Sequence, residues 1–311
     1  MLPAATPLLT AHVPIEIAGS RGGFEQVQVD SPRRRLLLAH TGNGTLDVLD
    51  LRTEKLLAQI KTGAAHAVAT DHARKHYYVS AGPERKLVVV DAEKLAVAGE
   101  IPLPGMPAAL TPGPAGVNRL FVARADAAEL WVIDPATKQV VSTLPLPDIA
   151  GGLLAEDDNS LLYMNIRTKG TLLLLSASDH NSTVGGAWPV APAKHASALA
   201  LALRSPRRIF VAGFNGQLAA LDTSGKVLGS APLPTGVEHI ALDADWNRLY
   251  CASSSGRIAI INTGRNGVSA AGEVAAPRGA KAIVVDSGTH AVWIAYTSGG
   301  KSFAQKFTAQ P

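Results

Sequence analysis

Three histidines and two glutamates have the chemistry to hold a metal or move a proton. His66, His195 and His239 each stand at or near the start of a run of small apolar residues, and Glu25 and Glu238 occupy similar places. Gln26 and Lys281 complete this polar set. Imidazole nitrogens and carboxylate oxygens are common zinc donors, and three protein ligands with one open position make a catalytic zinc site. A His with a Glu also suits general acid–base work. Glu238 and His239 are neighbours, however, and adjacent strand residues point to opposite faces. They cannot act on one ligand unless the chain bends. What could gather the others depends on the elements that carry them.

Those elements repeat. A short apolar run ending in a polar residue recurs as "LDVLD" (Asp50), "LVVVD" (Asp91), "LWVID" (Asp134), "LLLLS" (Ser176), "LAALD" (Asp222) and "IAIIN" (Asn262), at steps of 41, 43, 42, 46 and 40 residues. Another apolar run precedes each: "RLLLA", "HYYVS", "RLFVA", "LLYMN", "RIFVA" and "RLYCA". A seventh copy, "AVWIA", is followed by "SFAQKF". A small apolar inner run ("AVAT", "AALT", "HIAL", "AIVV") and a looser outer one ("KLLAQI", "LAVAGEI", "QVVSTL") complete each unit. Such runs, rich in Val, Ile, Leu and aromatics and bounded by turn residues, read as strands. No amphipathic helix is evident. The Asp ending four of these third strands can accept backbone N–H groups and start the next turn, as in "DPATK" and "DTSGK".

Four strands per unit of this length make a β-propeller blade, and seven units use nearly the whole chain. The expected fold is all-β: one domain, residues 1–311, with blades at 18–62, 63–104, 105–147, 148–191, 192–234, 235–276 and 277–311. The last blade lacks an outer strand, and "PLLTAHVPIEI" (7–17) matches the outer-strand pattern. Residues 1–17 therefore close the ring and hide an open sheet edge. "GAAHAVATDHARKHYYVSA" (63–81) and "GVEHIALDADWNRLYCAS" (236–253) become two copies of one unit, which places His66 and His239 at one repeat position.

The stretches "RLFVARADAAELWVIDPATKQVVSTLPL" (119–146), "HYYVSAGPERKLVVVDAEKLAVAGEIPL" (76–103) and "RLYCASSSGRIAIINTG" (248–264) resemble the YVTN or YncE-like seven-bladed propellers. The resemblance extends over all blades. It implies a bacterial binding or interaction module, often exported to the periplasm or cell surface. No blade ends in Trp-Asp, the mark of WD repeats, and blade 4 departs most, with Ser176 for Asp.

A propeller gathers function at the funnel around its axis. Glu25, Gln26, His66, Pro107, Gly152, His195, Glu238, His239 and Lys281 are expected near its mouth, and Gln26, His66, His195, Glu238, His239 and Lys281 are the candidate ligand-binding residues. No catalytic residue is assigned and no cofactor is expected, since nucleotide-binding, zinc-protease, hydrolase and EF-hand motifs are all missing. The alternative is a metal-dependent lactonase or lyase using His66, His195 and His239. His195 falls about four residues out of register with the other two, and the mouth is poor in carboxylates. A second alternative is polyanion or nucleic-acid binding on the opposite face through Arg33, Arg34, Arg35, Arg207 and Arg208, which would depend on salt. The net charge of +4 is too small to argue for nucleic acid by itself. The second-strand aromatics are expected between blades rather than on a stacking platform. Cys251 stands alone in an apolar run, which excludes a disulfide framework and reads as a buried thiol. No apolar run reaches the ~18 residues a membrane helix needs. Residues 1–20 lack the basic start of a signal peptide. The expected location is periplasmic or secreted where a leader has been removed, and cytoplasmic otherwise.

Overall fold

The computed structural model describes residues 8–19, 22–204, 206–264 and 267–310, without the side chains of Asp157 and Ser197. These residues form 29 strands, β1–β29 in chain order, arranged as seven antiparallel sheets. The innermost strand of each blade comes first in sequence: β3 (Gln26–Asp30), β7 (Ala65–Asp71), β11 (Pro107–Pro112), β15 (Ala150–Glu156), β19 (Ala196–Ala202), β23 (Val237–Asp243) and β27 (Ala282–Asp286). Each of these touches the next in turn, and β27 touches β3, so the seven surround a common axis. Blade 4 is a regular four-stranded sheet despite Ser176, because the ladder needs only backbone groups and apolar side chains at that edge.

Burial follows the blade from axis to rim. The second strands His76–Ala81 and Arg248–Ser253 are buried at every position after the first. Outer strands such as Leu56–Lys61 alternate, which is the pattern of a sheet with one face to solvent. The core is divided into seven clusters, one between each pair of neighbouring blades. Phe210, Leu218, Ile240 and Cys251 meet between blades 5 and 6, and Ile17, Leu36, Trp293 and Ala304 meet between blades 7 and 1. Tyr77, Tyr78, Phe121, Tyr163, Phe210, Tyr250 and Trp293 are all buried in these seams. They are structural and offer no surface for stacking bases. Outer strands in blades 1 to 6 each carry one register shift. A bulge there twists the free edge and discourages pairing with another chain.

The ring closes through the N-terminal segment. In blade 7, β28 (Ala291–Ser298) pairs with β29 (Lys301–Ala309), and β29 pairs on its other side with β1 (Leu9–Ala11) and β2 (Ile15–Ile17). Leu9 and Ile17 enter the core at 4% and 1% exposure, whereas Val13 between the two strands is 86% exposed. Residue 7, the expected start of this strand, lies outside the described residues. The third-strand carboxylates serve turns, as expected. Asp50, Asp91 and Asp134 each accept two backbone N–H groups from the turn that follows, and these bonds hold their pKa values below the usual carboxylate range.

Candidate functional site

Counting back from the hairpin that ends each inner strand shows which residues are equivalent at the funnel mouth. Asp71 pairs with His76, and Asp243 pairs with Arg248. Five residues before Asp71 is His66, and five before Asp243 is Glu238. The expectation that His66 and His239 share a repeat position is therefore one residue out. The same count gives Glu25 in blade 1, Gly151 in blade 4, Ser197 in blade 5 and Lys281 in blade 7. In blade 3 the Gly113–Arg119 backbone bond closes the hairpin and gives Ala108. At this position the ladders of blades 2 to 6 shift register, leaving His66, Ala108, Gly151, Ser197 and Glu238 unpaired with the second strand. A bulge of this kind turns one side chain out of the pleat, and at His66 and Glu238 that side chain joins the charges of Glu25 and Lys281.

The ring at the mouth is thus two unlike halves. Blades 6, 7, 1 and 2 contribute Glu238, Lys281, Glu25 and His66 in spatial order, while blades 3 and 4 contribute Ala108 and Gly151. The Lys281 ammonium lies 2.9 Å from a carboxylate oxygen of Glu25 and 2.9 Å from one of Glu238. Burial alone would lower the Lys281 pKa, but its hydrogen bonds to the two carboxylates outweigh burial and raise it. His66 is solvent-exposed yet enclosed by the mouth walls, and this enclosure lowers its pKa. The nearby Glu25 and Glu238 charges oppose that shift, and those of Lys281 and Arg167 add to it. The imidazole is neutral at pH 7.

One residue further along the inner strands of blades 1 and 6, the side chain turns toward the next blade instead. The Gln26 side-chain oxygen accepts the Val68 N–H at 2.6 Å, tying blade 1 to blade 2. His239 Nδ1 lies 3.3 Å from the Lys281 carbonyl, tying blade 6 to blade 7. Burial lowers the His239 pKa, so this ring is also neutral. Of the expected binding residues, Glu238, Lys281 and His66 share the mouth, and Gln26 and His239 are engaged in seams. His195 precedes β19 on an exposed turn with a left-handed backbone (φ 51°). Among the described residues no three His, Cys, Asp or Glu side chains are grouped to hold a metal ion. His66, His195 and His239 are not brought together as ligands. Arg167, in the turn joining the second and third strands of blade 4, lies on the mouth side and is not among the expected binding residues.

The basic turns on the opposite face are occupied. Arg33 binds Asp30 and Glu93, and Arg34 grips both oxygens of Asp286 at 2.6 and 2.5 Å across the closing seam. Arg207 binds Glu156 and Asp158. Three arginines that open second strands reach over the next blade: Arg35 to the Ala92 carbonyl, Arg208 to that of Gly264 and Arg248 to that of Gln310. This recurring staple accounts for the Arg that begins the "RLLLA", "RIFVA" and "RLYCA" runs. Away from the mouth, a cleft of about 340 Å³ between blades 5 and 6 is lined by Pro232, Thr235, Ser255, Arg257 and Glu273, with Arg257 paired to Glu273 at 2.7 Å. It has no unpaired charge. Among the described residues no helix is long and apolar enough to cross a membrane.

The fold is shared with solved structures of distant sequence. The WD40 repeats of RRP9 superpose with a TM-score of 0.80 at 10% identity, over 96% of this chain and 100% of theirs. The structure of U3-55K gives 0.75 at 11% identity, over 94% and 99%. A chain of Kuenenia stuttgartiensis hydrazine synthase gives 0.71 at 16% identity, over 93% and 98%. No family model matches the sequence, and no curated protein matches it significantly. At such identities the likeness is one of fold.

Proposed function

We propose that this propeller is a non-catalytic interaction module of the YncE-like type, which receives a partner protein or small ligand at the mouth of its funnel. The observation that carries the reading is the divided ring: a polar arc of Glu238, Lys281, Glu25 and His66 faces Ala108 and Gly151 across an open mouth. The Arg34–Asp286 pair balances its charges within the fold, whereas the mouth sets two carboxylates against one ammonium. A half-open ring of charge at the centre of a surface is instead suited to meeting another molecule. The Asp-ended third strands, and the absence of Trp-Asp endings, support the YncE-like type over WD repeats. The metal-dependent alternative finds no support in the placement of His66, His195 and His239. Polyanion binding finds none in arginines already held by carboxylates and carbonyls.

Site-specific photo-crosslinking in cells tests the proposal. Benzoylphenylalanine placed at Ala108 should yield a discrete heavier species, seen by gel or intact mass. The same probe at Val97 on the outer rim should not, and Lys281→Glu should remove the Ala108 product. Equal labelling from rim and mouth, or none from the mouth, would refute the reading.

A further inference from the structure

The charges around the mouth narrow the chemistry of what it takes. Lys281 is the only cation of the polar arc, and two carboxylates already share it at 2.9 Å. The arc therefore presents little free positive charge. Arg167 differs. It stands on the mouth-side turn between the second and third strands of blade 4, two blades round the axis from His66 with only blade 3 between them. It is exposed, its guanidinium has no ion-pair or hydrogen-bond partner among the described residues, and its charge is among those that act on His66. The Arg167 backbone N–H donates to the Ile149 carbonyl. Next to it, Asp148 is engaged with the Thr168 hydroxyl and the Ile149 N–H. Asp148 is thus committed within its own turn. Between Arg167 and His66, the ring positions of blades 3 and 4 are Ala108 and Gly151, which fill little space.

We propose that the mouth binds an anionic group, a carboxylate or phosphate, between the Arg167 guanidinium and the His66 imidazole on the open side of the ring. This deepens the reading of the funnel as a binding site and rests on it. Arg167 supplies a planar fork of N–H donors matched to two oxygens. His66 supplies one N–H when neutral and a charge when protonated. The groups facing His66 are Glu25 from blade 1, Arg167 from blade 4, Glu238 from blade 6 and Lys281 from blade 7. Within its own blade, Glu84 is engaged by the Ala64 N–H. An anion arriving beside His66 offsets the two cations that disfavour its protonation, so binding draws a proton onto the ring. The linkage also runs the other way, and the anion binds more tightly as pH falls through the His66 transition.

NMR of the imidazole resonances tests this on the whole chain at constant ionic strength, with His66 assigned from its loss in His66→Gln. Titration in inorganic phosphate and in acetate should raise the His66 pKa by roughly half a unit or more, as expected of a unit charge within a few ångströms. A larger effect of phosphate identifies a phosphorylated source, and a larger effect of acetate a carboxylate one. Arg167→Gln should abolish the shift, and Arg167→Lys should keep part of it. The inference fails if neither anion moves the transition or if the shift survives in Arg167→Gln. It also fails if methylamine moves the transition more than either anion, which would make the site one for cations. Crosslinking from Ala108 that persists alongside such failure would leave the funnel as a binding site and remove only its anion chemistry.

Discussion

Replacing Ile17 by Ala probes whether the N-terminal segment holds the whole ring or only its own blade. Ile17 is 1% exposed and packs with Phe24, Leu36, Trp293 and Ala304 in the seam between blades 7 and 1. Its neighbours are fixed in two different sheets, so the site cannot collapse around the missing methylenes. A buried Ile-to-Ala change in such a site costs about 2–5 kcal/mol, and the upper half of that range is expected here. Leu9→Ala, in the seam between blades 6 and 7 at 4% exposure, should cost a similar amount. Val13→Ala, at 86% exposure, should fall within about 0.5 kcal/mol of the parent. The assay is urea unfolding followed by hydrogen exchange and mass spectrometry, comparing peptides from blade 7 with those from blade 3. If closure by β1 and β2 makes the ring one cooperative unit, Ile17→Ala lowers protection of Leu120–Arg124, in blade 3, as much as that of Ala291–Ser298. Loss confined to blade 7 would show that the seam is a local clasp and refute the argument that an open edge destabilises the ring.

Other consequences are open to direct measurement. Lys281→Met should destabilise the fold by about 1–2 kcal/mol near pH 7, because it leaves two half-buried carboxylates without their shared donor. The Lys281 pKa is raised in the fold, so its contribution is complete below the unfolded lysine value, about 10.4, and fades as pH rises through the folded value; the two proteins should converge in alkali. His66→Gln should gain on the parent as pH falls below about 6.5. The folded His66 pKa is depressed, so the unfolded chain takes up the proton first and acid weakens the parent. Tyr77→Phe removes a 2.6 Å bond to buried Asp30 and should cost about 1–3 kcal/mol in urea unfolding. Cys251 is fully buried and burial pushes its thiol pKa up, so aromatic disulfide reagents should label it only at the rate of global unfolding.

Much of the fold was legible because a blade is specified locally. Apolar runs of strand length, Asp-started turns and a constant unit of about 40 residues are properties of neighbouring residues. Ring closure was legible for a related reason: one unit lacked an outer strand, and only the N-terminal segment had the pattern to supply it. The staples formed by Arg35, Arg208 and Arg248 were not legible. Their partners are backbone carbonyls of the following blade, and a carbonyl has no identity in the sequence. Arg35 and Arg208 were therefore weighed as part of a basic surface, the second alternative, and they form interblade bonds.

The funnel was harder, and the echo between Gly63–Ala81 and Gly236–Ser253 shows why. Gly63 is two residues before its strand and Gly236 one residue before, so matching the glycines aligns His66 with His239. The hairpins at Asp71–His76 and Asp243–Arg248 align His66 with Glu238 instead. Side chains alternate along a strand, so this single residue exchanges the two roles. His66 meets solvent at the mouth, while His239 lies against the Lys281 backbone in a seam. In a repeat protein the closed hairpin is the safer origin for counting, because its backbone pairs are constrained and the loop before the inner strand is free to vary by a residue. Counted that way, Glu238, Lys281, Glu25 and His66 fall on consecutive blades, and four residues of unlike type become one arc.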